Sequence, residues 1–379
     1  MEIKFNKNPE IHDFQAQLNT LQLKYDDFRQ KKASQLCLEQ LQPQFSQRNL
    51  WLTHSGTAAL EMAAHLLLKT AKKEVIVPSF CFVSTALAFQ NKGFQLKFAE
   101  ADEDSLSASI SDIYSLMNEN TAAVVWMHYA GSVAPGFDQL LEYCHQKGVV
   151  VIEDAALGFG RTHQQKSLGN FGTAAIFSFD ITKPFSAIQG GLLVLAHPQW
   201  LELADQYYHI GTNRAAFEKG LVANYQWVSE GSKCQMNELN AAFLLQDLAI
   251  CDLKMAKLQA LSRYYLAKLS ALENKDHFKI PTVFKDPNNH HVFGLLFASE
   301  ALTLHVQKTM YHAQIEVFSH YQALHNTPFA KQNGLYRELP FAQILSTQYL
   351  RLPLHEDLTF EQIDQLLWTF KEALNSFKQ

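Results

Sequence analysis

Between residues 50 and 153 short apolar runs alternate with longer amphipathic ones, and this rhythm limits the folds open to the chain. Leu50–Thr53 precedes Ala58–Leu68, Glu74–Val77 precedes Phe82–Gln90, and Gln95–Ala99 precedes Ile110–Met117. Ala122–Met127 then precedes Phe137–Gln146, and Val149–Glu153 closes the series. Strands alternating with helices form βαβ units, which build a mainly parallel sheet with helices on both faces. Val149-Val150-Val151-Ile152 is apolar at every position, as a strand covered on both sides must be. After residue 160 the rhythm changes. Ala174–Phe179 and Gly191–Leu195 read as strands whose link is too short for a crossover helix. A long helical stretch from Met236 to about Leu272 leads into a smaller α+β segment. Its strands are His277–Ile280 and Val292–Ala298, with helices at Ala301–His312 and Phe360–Phe377. The pattern predicts a large α/β domain over residues 1–250 and a small C-terminal α+β domain over 251–379. Apolar spacing at Phe14, Leu18, Leu21, Leu36, Leu38 and Leu41 adds N-terminal helices to the first.

Composition narrows the function. Of 379 residues, 47% are hydrophobic and 18% charged, and the formal charge is −5, so the chain can bury a large core. A mildly acidic balance without a basic block argues against nucleic acid as a partner. No apolar stretch approaches the ~20 residues of a membrane span, and the start lacks a signal-peptide pattern. The five cysteines are odd in number, scattered and without a CxxC, which suits reduced thiols in a cytoplasm. Sixteen histidines include the pair His290-His291, but the spacing offers no metal site.

Four local features point to chemistry. His54-Ser55-Gly56-Thr57-Ala58 lies between a strand and a helix, where free N–H groups meet an anion; taken alone, the same residues read better as an ordinary N-cap. Glu153-Asp154 ends the most buried strand, where ligands bind in open α/β sheets. A carboxylate there needs a cationic partner, unless it merely caps the next segment. Lys183 follows the apolar strand Ala174–Phe179 and precedes Pro184. Burial would make its amine a nucleophile for carbonyls; a solvated loop lysine is the plainer alternative. Glycine, only 16 residues in all, clusters around these two positions at 158, 160, 169, 172, 190 and 191 and is absent before Gly56. Such a cluster suggests a ligand packed against backbone. An anion site, a strand-end aspartate and a nucleophilic lysine are together what pyridoxal 5'-phosphate (PLP) requires: donors for the phosphate, a carboxylate for the ring nitrogen, and an amine for the aldehyde.

The residues carry a resemblance as well. Leu-Thr-His-Ser-Gly-Thr-Ala-Ala-Leu-Glu-Met-Ala-Ala (52–64), Pro-Ser-Phe-Cys-Phe-Val-Ser-Thr-Ala (78–86), His-Tyr-Ala-Gly (128–131), Glu-Asp-Ala-Ala (153–156), Leu-Gly-Asn-Phe-Gly (168–172), Phe-Ser-Phe-x3-Lys (177–183), Gly-Thr-Asn-Arg (211–214), His-Tyr-x3-His (320–325) and Leu-Arg-Leu-Pro-Leu (350–354) occur in that order. From about residue 50 onward the chain resembles the DegT/DnrJ/EryC1/StrS aminotransferases. The resemblance implies a type I aminotransferase fold and a homodimer with active sites shared between subunits. It implies transfer of an amino group from an L-amino acid, glutamate, to a nucleotide-linked keto-deoxysugar, with a dTDP-4-keto-6-deoxyhexose favoured. Lys183 matches the lysine that holds the cofactor, and Asp154 the partner of the ring nitrogen. Thr57, Ala58 and Ser178 match phosphate contacts, and Phe82 the aromatic that stacks on the ring. His320, Tyr321 and His325 match the substrate side. Lys233 falls where one subunit offers an asparagine to its partner's phosphate. Three further positions depart from the pattern: Leu157 replaces a Gln or His, Asp180 a His, and Gln189 a Glu. These departures motivate an alternative, a weak or inactive relative that binds a nucleotide sugar or a partner protein. A sugar dehydratase on the same fold would carry histidine in place of Lys183.

Overall fold

A computed structural model describes residues 2–7, 31–45, 47–286, 288 and 291–377. The expected helices around Phe14, Leu18 and Leu21, and His290 of the histidine pair, lie outside the described residues.

The alternating region forms one seven-stranded sheet. Its strands are β1 (Asn49–Thr53), β2 (Glu74–Pro78), β3 (Gln95–Ala99), β4 (Thr121–Met127), β5 (Val150–Asp154), β8 (Ala174–Ser178) and β9 (Gly191–Leu195), in the order β1-β9-β8-β5-β4-β2-β3. A small hairpin, β6 (Thr162–His163) and β7 (Lys166–Ser167), interrupts the series. The pairs β3/β2, β2/β4, β4/β5 and β5/β8 are parallel. Only β9 runs against its neighbours β8 and β1, as the short link after β8 requires.

Period-two alternation of the strands sorts their side chains onto two cores. Val75, Val77, Val125 and Met127 pack on one face with helices α2 (Gly56–Leu67) and α3 (Val83–Gln90). Ile76, Val124, Trp126 and Val151 pack on the other with α4 (Ile110–Leu116) and α5 (Phe137–Gln146). Helix α1 (Lys32–Leu41), which contains Leu36, Leu38 and Leu41, covers the β8–β9 side through Ala33, Cys37 and Leu41.

The long helical stretch is two helices, α6 (Glu238–Ala249) and α7 (Cys251–Ser270), with non-helical backbone at Ile250. Their burial explains the break. Ala241, Ala242 and Leu244 of α6 pack with α1 and β8, while Leu261, Tyr265 and Leu269 of α7 join the core beneath a second sheet. That sheet is antiparallel: β10 (Phe278–Lys279), β11 (Phe293–Phe297) and β12 (Tyr349–Leu352). It packs with α8 (Glu300–His312), α9 (Pro340–Gln348) and α10 (Phe360–Ser376). Helix α10 opens with a full capping box between Thr359 and Gln362, which fixes its start. Strand β12 was not foreseen; its four residues read as part of a motif, not as an element. No helix among the described residues is long and apolar enough to cross a membrane.

The glycine cluster serves mainly to bring chain against chain, which corrects the expectation of a ligand on the backbone. A Cβ on Gly191 would come within 2.5 Å of the Ser55 carbonyl, and one on Gly172 within 2.7 Å of the Val151 oxygen. The strand edges could not close around larger residues there.

Candidate active site

The carboxyl ends of the parallel strands open into a cavity of about 670 Å³, where open α/β sheets bind ligands. Ser55–Thr57 follows β1, Phe82 follows β2, Asp154 ends β5, Ser178 ends β8, and Asp180, Thr182 and Lys183 follow it; all line this cavity. Phe318, His320, Tyr321 and Arg351, and Phe5 and Asn6 from the first described segment, line it as well.

Lys183 sits in a tight turn. The Asp180 carboxylate accepts from the Thr182 N–H (3.0 Å) and hydroxyl (2.7 Å), and the Asp180 carbonyl accepts from the Lys183 N–H (2.9 Å). Beyond it, Phe185 and Ala187 are buried, and the Ser186 N–H donates to Asp247 at 2.7 Å. Burial, then the nearby Arg351 charge, pushes the Lys183 amine down to about 8 against the pull of Asp154 and Asp180. A larger share of it is thus a neutral nucleophile at neutral pH.

Asp154 is 3% exposed. One oxygen accepts from the Thr85 hydroxyl at 2.6 Å and the other from the Ala156 N–H at 3.1 Å. Burial pushes its carboxyl up, opposed by Thr85, Ala156, Lys183 and His128. A buried carboxylate held by two neutral donors is incomplete without a cationic partner. A protonated pyridine nitrogen meets that need.

Ser55 caps α2, its hydroxyl accepting from the Ala58 N–H at 3.0 Å. This corrects the expectation for Ala58, whose N–H is already used. The N–H groups of Gly56 and Thr57 have no acceptor among the described residues. They stand at a helix start beside half-buried Ser178, so two backbone donors and a hydroxyl face one point. The Thr57 hydroxyl pairs with that of Ser84 at 2.8 Å. Such a cradle suits a phosphate. Phe82 is 56% exposed although it is a large aromatic, and its ring faces the cavity 6.2 Å from Tyr321. The residues present therefore fit PLP at its aldehyde, its ring nitrogen, its phosphate and its ring face.

Other expected residues are placed as follows. His320 and Tyr321 line the cavity. His325 does not; it is 2% exposed and its Nδ1 bonds the Ser79 hydroxyl at 2.6 Å. The turn at Leu324–Asn326 swings its ring away from the cavity and onto the end of β2. Lys233 is exposed and lies outside the cavity of its own chain. Leu157, Asp180 and Gln189 all line it, so the three departures bear on the site itself.

Three features were missed in the sequence. Thr85 lies one turn into α3, within a motif already noted, and reaches Asp154. Glu153, read only as the neighbour of Asp154, points to the other face of β5. There it is fully buried and accepts from the N–H groups of Gly169, Phe171 and Gly172 and from His128 Nε2. Arg351, quoted only as part of the 350–354 motif, stands on β12 beside His320.

Comparison with known proteins agrees with this geometry. The family model for the DegT/DnrJ/EryC1/StrS aminotransferases matches residues 13–371. A dTDP-4-dehydro-2,3,6-trideoxy-D-glucose 4-aminotransferase of Saccharopolyspora spinosa is 26% identical over 329 residues, covering 85% of this chain and 83% of that protein. In structure the chain is similar to Helicobacter pylori PseC, an aminotransferase involved in the biosynthesis of pseudoaminic acid, with TM-score 0.86, 21% identity and full coverage of both chains. It is also similar to the PLP form of the putative sugar aminotransferase Spr1654 from Streptococcus pneumoniae, with TM-score 0.84, 18% identity and full coverage of both. A match over nearly the whole length, on a cavity that already fits PLP, leads to one conclusion: the chain belongs to the DegT/DnrJ/EryC1/StrS aminotransferase family and is a PLP-dependent sugar aminotransferase.

Proposed function

We propose that the chain transfers an amino group from an L-amino acid, glutamate, to a nucleotide-linked keto-deoxysugar, with a dTDP-4-keto-6-deoxyhexose as the favoured acceptor. The observation that carries this reading is the meeting of Lys183, unpaired Asp154 and the free Gly56 and Thr57 N–H groups at one cavity. When bound, PLP supplies an aldehyde and an electron-accepting ring. Lys183 would hold the aldehyde carbon, and its Nζ, as general base and then acid, would take the proton from the donor's α-carbon and deliver one to the sugar carbon. Asp154 would hold the ring nitrogen protonated, while Thr85 and the Ala156 N–H keep that carboxylate oriented. Gly56, Thr57 and Ser178 hold the phosphate, Phe82 covers one ring face, and His320 and Tyr321 form the wall against which the substrate rests. The S. spinosa relative's name supports a dTDP-linked 4-keto acceptor. Within the family, the ordered motifs from 52–64 to 350–354 favour transamination of a dTDP-linked 4-keto-6-deoxyhexose.

The same reading makes the active form a homodimer, in which exposed Lys233 reaches the partner's cavity. It divides the chain into a large domain over 1–250 and a small one over 251–379; the break at Ile250 and the separate three-stranded sheet support this. The test is direct. Wild-type protein loaded with PLP should show the yellow absorbance of the bound cofactor, and Lys183→Ala should lose it. L-glutamate should bleach that band, and a panel of dTDP-, UDP- and GDP-linked 3-keto and 4-keto sugars should restore it, dTDP-linked 4-keto sugars fastest. A band that no amino acid bleaches would favour the inactive relative, which Leu157, Asp180 and Gln189 motivate. Restoration by another sugar class alone would overturn the acceptor.

A further inference from the structure

Lys183 has open space on two sides. Thr182, Lys183 and Pro184 line the cofactor cavity and also a second cavity of about 270 Å³. A turn flanked by two cavities is not held by packing alone. Its internal bonds, from Thr182 and Lys183 to Asp180, move with it. The Ser186 N–H ties it to α6, donating to Asp247 Oδ2 at 2.7 Å.

That carboxylate is tied in turn. The same Asp247 oxygen accepts from Lys254 Nζ at 2.9 Å, and Lys254 Nζ also lies 2.9 Å from Glu356 Oε1. Glu356 follows the end of β12 by four residues and accepts from Lys7 Nζ at 3.3 Å. Lys254 Nζ stands 5.7 Å from the centroid of the ring of Phe185, two residues beyond Lys183. Lys254 is 7% exposed, and a lone ammonium so buried would be costly; two carboxylates compensate it. Burial opposes ionisation of Glu356, yet Lys254 and then Lys7 hold its carboxyl below the usual 4.5.

A buried ion pair adds little net stability over apolar residues of the same volume, so stability alone does not account for this one. What it supplies is direction. The link from β8 to β9, helices α6 and α7, and the segment after β12 all meet at one nitrogen. The charges that act on Lys183 are those of Arg351, Asp154 and Asp180. Lys254, Asp247 and Glu356 are not among them, so they bear on where the Lys183 amine stands and not on its charge.

We propose that Lys254 is a positioning residue for Lys183: its ammonium, bridging Asp247 and Glu356, pins the turn after β8 to the segment after β12 and so sets where the Lys183 amine meets the aldehyde of the cofactor. This rests on the reading that Lys183 holds the cofactor.

The test follows capture of PLP by cofactor-free protein at pH 7, read as growth of the cofactor band, in wild type, Lys254→Met, Lys254→Arg and Glu356→Gln. Methionine keeps an unbranched apolar stem and removes the charge. The phosphate cradle and Asp154 share no bond with the bridge, so the PLP concentration that gives half the limiting rate should not change. The limiting rate should fall about 10- to 100-fold in Lys254→Met, the cost of misplacing a reacting group. It should recover in Lys254→Arg, whose guanidinium can serve two carboxylates. Glu356→Gln keeps the pair of Asp247 and Lys254 and weakens only the link to β12, so it should lie between. If Lys254→Met does not fold, Glu356→Gln carries the comparison. Partial unfolding would lower the amplitude of the band and leave the rate per folded molecule as it was. An unchanged limiting rate in the folded variants would overturn the proposal. So would PLP docking that weakens in step with the rate, or no recovery in Lys254→Arg. The Lys183 reading fails separately: a band that persists in Lys183→Ala refutes it and the proposal with it, whereas unchanged rates beside a band lost in Lys183→Ala refute the proposal alone.

Discussion

Thr85→Val isolates one bond in the cofactor site without changing its volume much. The Thr85 hydroxyl donates to Asp154 at 2.6 Å, and both residues are buried. Valine replaces the hydroxyl by a methyl and leaves Asp154 with only the Ala156 N–H, at 3.1 Å. Hydrogen bonds to a charged group are worth about 1.5–3 kcal/mol, a factor of about 10 to 150 in an equilibrium constant. That energy is available to the cofactor only through the Asp154 carboxylate facing a cationic ring nitrogen. The PLP dissociation constant of Thr85→Val should therefore rise about 10- to 150-fold, read from the cofactor band after dialysis against graded PLP. The loss should depend on pH. Burial already pushes the Asp154 carboxyl up while Thr85 opposes it, so removing Thr85 moves the carboxyl up further. The ionised fraction then grows as pH rises, and retention in the variant should recover toward wild type at higher pH. Thr85→Ser keeps the donor and should stay within a few-fold of wild type. Retention by Thr85→Val within about three-fold of wild type would refute the reasoning, as would an equal loss in Thr85→Ser.

Three other outcomes follow from the same geometry. Leu157→Gln adds a polar group at the cavity wall and should tighten PLP retention by about 1 kcal/mol, roughly five-fold; unchanged or poorer retention on dialysis counts against it. Uptake of PLP by the cofactor-free protein needs the neutral Lys183 amine, so its rate should climb through pH about 8 rather than near 10.5, and Arg351→Gln should move that midpoint upward; a midpoint that stays put contradicts the assigned charge effect. Glu153→Gln keeps one acceptor oxygen but removes the charge and sets an amide NH2 against two of the four donors, and should lower stability by about 3–5 kcal/mol in urea denaturation at pH 7. Burial opposes ionisation of Glu153, but His128 and the Gly172 and Gly169 N–H groups hold its carboxyl below the usual 4.5. Its contribution is present above the unfolded value and fades as pH falls through the folded one, so the gap to wild type should narrow in acid; a constant gap would exclude this origin.

The sheet was legible because buried parallel strands must be apolar at every position and their helices must be amphipathic, and both patterns are visible in single residues such as Val149–Ile152. The cofactor end of the site was legible for a related reason. Asp154 ends its strand, and Lys183 and the Gly56-Thr57 turn sit three to five residues beyond theirs; a parallel sheet brings its carboxyl ends to one edge. What failed depended on direction. Ala58 was expected to face an anion, but the serine three residues earlier takes its N–H. His325 follows Tyr321 by four residues and still turns to Ser79, because the path of an irregular segment is not fixed by any periodicity. Arg351 was passed over for the same cause: β12 has four residues, too few to show alternation, so its inward face could not be distinguished from its outward one.

The charges of the cavity give one account of why its stability and its function pull apart. Asp154 is an anion held by two neutral donors, and Arg351 is a cation bonded to a neutral histidine; the described residues complete neither. They do not pair with each other: Asp154, at the end of β5, bonds Thr85 and Ala156, and Arg351, on β12, bonds His320. Each disfavours folding of the empty protein by the cost of burying an uncompensated charge. Each is also a preorganised partner for a ligand of opposite sign, and binding of a ligand to the folded state alone stabilises it in proportion to its affinity. Glu153 shows the contrast. It lies next to Asp154 in sequence and is buried more completely, yet His128 and three backbone N–H groups complete it, and it does not line the cofactor cavity. On one strand, adjacent carboxylates are thus assigned to opposite tasks by the alternation of the backbone: the residue pointing into the protein is satisfied by it, and the residue pointing into the cavity is left for the cofactor.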